Sequence, residues 1–157
     1  SGAGGLTLLP YFDGERTPNL PGASGWMSGL RSDVSREQMA RSAVEGVCCS
    51  LLDALDAIRA VASVDRVVLV GGGARSAAYR TVFAGLCDLP VGTADAEEAV
   101  ATGACVQAAA AALGQTHADV ALRWALGAVT AIEPLANAAS VDVRAQYAAL
   151  RGAAYSS

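Results

Sequence analysis

Apolar side chains recur over residues 35–62 at the three- and four-residue spacing of one helix face: Val44, Val47, Cys48, Leu51, Leu55 and Ile58. Ser35 and Gln38 open that stretch with the spacing of a capping box, and Val34 and Met39 occupy the positions of a hydrophobic staple. Gly46 falls mid-helix, where glycine costs about 1 kcal/mol relative to alanine. Either another backbone comes close at that point or the glycine is neutral. Arg66-Val67-Val68-Leu69-Val70 is continuously apolar after its first residue and ends abruptly at Gly71. It predicts a central strand buried on both faces. Tyr79, Val82, Phe83 and Leu86 then line a second helix, and Pro90-Val91 begins another strand.

Asp95 and Glu98 are spaced as an acidic capping pair for a third helix, which stops at Leu113-Gly114. Alanine dominates its interior, so neighbours are expected to pack closely against it. The tail predicts a short helix over 120–126 and a terminal one over 142–154, capped by Ser140. At the other end, Leu6-Thr7-Leu8-Leu9 reads as a strand that stops at Pro10. Residues 11–29 are rich in Gly, Pro, Asn and Ser and predict a long loop; Tyr11, Phe12, Asp13, Glu15 and Arg16 make it an ordered one. The succession helix, strand, helix, strand, helix predicts an α/β layer with parallel strand pairing and flanking helices. Residues 1–157 are expected to form a single domain.

Composition narrows the chemistry. The chain is 53% hydrophobic with a net charge of −4, and all eleven basic residues are arginine. No basic stripe suits a nucleic acid, and no apolar run suits a membrane span. A missing lysine excludes a Walker-type phosphate loop, a Schiff-base enzyme and a lysine general base. Cys48, Cys49, Cys87 and Cys105 lack zinc-type spacing and read as buried thiols of a cytoplasmic protein. His117 is alone and reads as a solvent-facing loop residue, and Trp26 and Trp124 read as packing residues. No metal site is expected. The opening Ser1-Gly2-Ala3-Gly4-Gly5 reads as a cloning remnant or a cut within a Gly-rich loop.

The chemically informative segment is Val70-Gly71-Gly72-Gly73-Ala74-Arg75-Ser76, between a strand and the start of a helix. In open α/β sheets, ligands bind in the crevice beyond the carboxyl ends of the strands. Without side chains, backbone N–H groups come within reach of an anion at a helix start. Arg75 either adds a charge there or projects into solvent. Ser76 stands where a dinucleotide fingerprint needs its third glycine, so that reading fails. The turn by itself is equally compatible with a tight connection that binds nothing.

Three motifs extend the picture. Gly25-Trp26-Met27-Ser28-Gly29-Leu30, Gln38-Met39 and Ser42-Ala43-Val44-Glu45 together resemble the second signature of the FGGY family of carbohydrate kinases. Leu9-Pro10-Tyr11-Phe12-Asp13-Gly14-Glu15-Arg16-Thr17-Pro18-Asn19 resembles the loop characteristic of the xylulose kinases within it. The glycine turn is similar to the family's adenosine-binding motif, and Ala101-Thr102-Gly103-Ala104 resembles the small-residue helix that follows. The matches run in order from Leu6 to about Ala112.

The resemblance implies an actin-like, ribonuclease-H-like ATPase fold, of which this chain is an incomplete C-terminal, nucleotide-binding lobe. It implies ATP or ADP with Mg²⁺, and transfer of the γ-phosphoryl group to a sugar hydroxyl, with D-xylulose the foremost acceptor. Ribulose, gluconate or glycerol kinases, or a non-catalytic nucleotide-binding or interaction module, are the alternatives. By the same resemblance Gly72, Gly73 and Ala74 lie against the adenosine and α-phosphate. Ala77 stands where some relatives carry a polar residue that contacts adenine. Asp13, Glu15 and Arg16 belong to a substrate or interlobe loop. Either carboxylate there is a candidate base, or Glu15 serves a structural ion pair near Arg16. Glu45 fills the acidic position of the signature, with no chemistry assigned. The sugar site, the catalytic aspartate and the threonine-containing phosphate loops belong to segments outside this chain, which is expected to carry no catalytic residue and to be inactive alone. Full-length relatives imply a homodimer.

Overall fold

The computed structural model describes residues 2–94, 98–134 and 140–155. Strand β1 (Thr7–Leu9) is paired antiparallel with β2 (Trp26–Ser28), with Leu9 opposite Trp26. Helix α1 (Arg36–Arg59) follows, and its start is built as the sequence predicts. The Ser35 hydroxyl accepts from the Gln38 amide, while the Gln38 side chain accepts from the Ser35 amide at 2.8 Å. Strand β3 (Val67–Leu69), the single turn α2 (Gly72–Arg75), helix α3 (Ala77–Leu86) and strand β4 (Val91–Ala94) come next. Helix α4 (Ala99–Leu113), helix α5 (His117–Arg123), strand β5 (Val129–Ala131) and helix α6 (Ser140–Tyr155) complete the order.

Pairing of β3 with β4 is parallel, as expected, and β5 joins β4 antiparallel, giving the order β3-β4-β5. The central strand is therefore β4. Strand β3 lies at the sheet edge and is half-buried, contrary to the expectation from its apolar run. A continuous apolar sequence registers the burial that a segment can accept; what covers it is set by its neighbours.

The core sits where β1 packs on α1 and α6, and α3 packs on both helices. Leu9, Cys48, Cys49, Leu52, Phe83 and Tyr147 are buried there. Burying a side chain such as Leu9 or Leu52 contributes about 1.5–3 kcal/mol. The buried stripe of α1 is Ser42, Glu45, Gly46, Cys48, Cys49 and Leu52. Of the expected face, Cys48 is buried, Val44, Val47 and Leu55 are partly buried, and Leu51 and Ile58 are exposed. The helix is rotated because β1 lies directly on it. A Cβ on Gly46 would run into the Leu8 carbonyl oxygen, so this glycine permits the backbone approach that was one of its two readings. Burial of Glu45 at 4% exposure is offset by Arg41, whose Nε donates to its Oε1 at 2.6 Å.

Several ends differ from the sequence reading. Glu98 is itself the N-cap of α4 and its side chain accepts no capping bond; Asp95 lies outside the described residues. Gly114 closes α4 in the left-handed conformation, as expected. Helix α5 begins earlier than predicted because Thr116 and Asp119 form a capping box. The terminal helix includes Ser140 at its first turn, where a cap was expected. Ala110 is the one buried residue of α4 among those described, and Val100 is 89% exposed. Among the described residues, close packing on α4 is therefore confined to the side of Ala110. Trp26 and Trp124 are 49% and 43% exposed, so neither is a core residue. Cys48 and Cys49 are buried as expected, whereas Cys87 is intermediate and Cys105 exposed. No helix of the described residues is long and apolar enough to cross a membrane.

Candidate nucleotide-binding site

The glycine turn is bare. Gly71 has φ +83°, a left-handed backbone that only glycine adopts without strain, and it caps α2. Its carbonyl accepts from the Ala74 amide at 3.1 Å, and the Gly73 carbonyl accepts from the Ser76 amide at 3.1 Å. Gly72 and Gly73 have no such backbone need. They are helical and exposed, and a Cβ on either would meet nothing within 4 Å. Helical glycine costs about 1 kcal/mol relative to alanine, and no neighbour among the described residues requires it at these two positions. The contrast with Gly46, which is held against Leu8, is direct.

The turn is not simply the first turn of the long helix, as the sequence suggested. Ser76 is extended at φ −76°, ψ 120°, and separates α2 from α3. Its hydroxyl accepts from the Tyr79 amide at 3.5 Å and so caps α3 separately. Arg80, which the sequence reading did not single out, holds the turn from below. Its Nη1 donates to the carbonyls of Ala74 at 2.7 Å and Arg75 at 2.9 Å, the peptide oxygens that a one-turn helix leaves exposed. Only its position one turn into α3 hinted at that reach. Ala77 is the exposed first residue of α3, and Arg75 is exposed at the end of α2.

Beside the turn, a cavity of about 620 Å³ opens next to Val70, at the carboxyl end of β3. Ala94 of β4, Thr102 and Val106 of α4, His117 and Leu126 contribute to its walls. His117 is thus an exposed helix-start residue at a cavity wall, where an isolated loop position had been expected. The location agrees with the crevice rule for parallel strands. Among the described residues, no group of three or more His, Cys, Asp or Glu side chains could hold a metal ion.

Asp13, Glu15 and Arg16 lie elsewhere, at the base of the 11–29 loop. Asp13 and Arg16 are exposed, and Glu15 is turned inward. One Glu15 oxygen accepts from the amides of Arg16 at 2.7 Å and Thr17 at 3.2 Å. The other accepts from the Ser50 hydroxyl of α1 at 2.9 Å. Both carboxylate oxygens are thus engaged in holding the loop.

A family model described as the FGGY family of carbohydrate kinases, C-terminal domain, matches residues 1–112. The chain belongs to the FGGY family of carbohydrate kinases. Its similarity to a xylulose kinase of Streptomyces coelicolor is 43% identity over 87% of this chain and 28% of that protein. Among solved structures, a xylulose kinase from Bifidobacterium adolescentis aligns over 96% of this chain and 29% of its own, with 39% identity and a TM-score of 0.70. A protein described as a xyloylose kinase from Brucella ovis aligns over 98% of this chain and 32% of its own, with 27% identity and a TM-score of 0.86. The chain thus has the α/β, actin-like ATPase fold of FGGY kinases and spans less than a third of these relatives' length.

Proposed function

We propose that this chain supplies the adenosine side of the ATP cleft in a sugar kinase that converts D-xylulose and MgATP to D-xylulose 5-phosphate and ADP. The single observation that carries the reading is the pair of helical glycines, Gly72 and Gly73, whose missing side chains answer to no packing neighbour among the described residues. A nucleotide laid against Gly72, Gly73 and Ala74 would use that open surface. The relatives' naming as xylulose kinases supports the choice of acceptor.

The residues fit a nucleotide in what they leave out. Backbone at Gly72 and Gly73 is accessible, Arg80 fixes the turn's shape, and Gly71 sets the bend. Bound ATP supplies the transferable phosphoryl group. Phosphoryl transfer depends on in-line positioning and on charge neutralisation at the reacting oxygens. On this reading residues 1–157 are one domain of a two-lobed enzyme. The Mg²⁺ ligands, the base that receives the hydroxyl proton and the sugar-binding groups other than those of the 11–29 loop belong to its other parts, so the chain alone is inactive.

Calorimetric titration of ADP into this chain and into Gly73→Val tests the assignment. Binding in the millimolar range is expected for half a cleft, and it should vanish in the variant. A Cβ at position 73 has room, and the variant's melting temperature serves as the folding control. Equal heats from two folded proteins would remove the glycine turn from the site. Incubating the unsubstituted chain with D-xylulose and MgATP should give no product, and any xylulose 5-phosphate would overturn the claim that it is incomplete.

A further inference from the structure

The loop that the nucleotide reading leaves unused is held by the far end of the chain. Tyr11 at its base is fully buried, and its hydroxyl lies 3.2 Å from that of Tyr147 on α6. Tyr155, two turns further along α6, places its ring 5.8 Å from that of Tyr11. The Tyr155 hydroxyl accepts from the Ser24 amide at 3.0 Å and donates to the Ser24 carbonyl. Beneath them, Arg151 of α6 pairs with Asp53 of α1. Tyr147 and Tyr155 of α6 therefore grip the loop, and Arg151 grips the helix under it.

Between these anchors the loop is itself stiff. Glu15 and Leu20 exchange amide bonds at 2.9 and 2.8 Å, and the Gly14 amide donates to the Ala23 carbonyl at 3.1 Å. Glu15 ties the middle to Ser50. Phe12, 67% exposed, Asp13 and Arg16 are among the loop residues that face outward. A carboxylate and a guanidinium on a rigid loop are suited to hydrogen-bonding a polyhydroxylated ligand.

We infer that Tyr147 and Tyr155 are positioning residues: they latch the 11–24 loop to α6 so that Asp13 and Arg16 are presented in fixed geometry to the sugar side of the enzyme. The sugar half of this inference rests on the proposed kinase function; the latch does not. Holding a loop in its binding geometry before the ligand arrives removes an ordering cost from binding, so its loss is read in ligand affinity.

Two measurements separate the halves. Tyr155→Phe keeps the ring against Tyr11 and removes only the hydroxyl. Hydrogen exchange on this chain should show the amides of Gly14, Ala23 and Ser24 exchanging about thirtyfold faster, the loss expected for the two hydrogen bonds that the hydroxyl makes with Ser24. Amides in the middle of α1 and α6 should not change. Unaltered exchange at Ser24 overturns the latch, and so does an equal rise throughout α1 and α6, which would mean that Tyr155 merely holds the fold. In the kinase polypeptide carrying this domain, the same substitution should raise KM for D-xylulose about fivefold, leaving kcat and KM for MgATP within twofold. A loosened loop with unchanged sugar KM overturns the positioning role. An unsubstituted kinase inactive on every pentulose defeats the proposed function instead, and the exchange experiment still decides the latch.

Discussion

Gly46→Ala is the most informative single change to the fold. In most helix interiors this substitution stabilises by about 1 kcal/mol. Here the added Cβ enters the space of the Leu8 carbonyl oxygen and lies 3.2 Å from its carbon and 3.4 Å from its Cβ. The obstacle is backbone, so a rotamer change cannot relieve it; β1 must retreat from α1. Leu9 and Tyr11, both fully buried, would lose contacts with it. Overpacking of this kind costs about 1–3 kcal/mol. Because relief requires a whole strand to move, the upper half of that range applies, and after the propensity gain about 1–2 kcal/mol of net destabilisation is expected. For a domain near 150 residues that lowers the melting temperature by about 2–8 °C. Thermal melts followed by far-ultraviolet circular dichroism, with urea midpoints as a second readout, would measure it. A variant as stable as the parent, or more so, would refute the close approach of β1 to α1.

Three further outcomes are expected. Burial pushes the Cys48 and Cys49 thiols up to about 12, so at pH 8 an alkylating reagent should modify exposed Cys105 first and reach this pair only on unfolding. Since the unfolded thiols ionise near 8.5 and the folded ones do not, stability should be level below that pH and fall as pH rises toward 12; urea midpoints at pH 7 and 10 check the sign. Glu15→Ala leaves two amides and Ser50 without their acceptor, so tryptic cleavage after Arg16 should accelerate several-fold and stability fall by about 1–2 kcal/mol. Cleavage at the parent rate would show that the carboxylate does not hold the loop.

Local chemistry determined much of this protein by itself. The α1 start follows from Ser35 and Gln38, the α4 stop from Gly114, and the strand-to-helix bend from Gly71, because each depends on residues within one turn of chain. For the same reason the candidate nucleotide turn was legible: Gly71, Gly72, Gly73 and Ala74 are contiguous. Short strands β2 and β5 were not legible, since three residues form a strand only when a partner lies alongside. Nor was the face of α1, where a serine, a glycine and a paired glutamate are buried while Leu51 and Ile58 are not. Hydropathy measures side chains, and that contact is made with the backbone of β1. The tertiary structure alone joined Glu15 to Ser50, 35 residues away, and Ser24 to Tyr155, 131 residues away. A hydroxyl or carboxylate carries no mark in the sequence of the partner it will meet. Only chain packing brings such groups within 3 Å of each other.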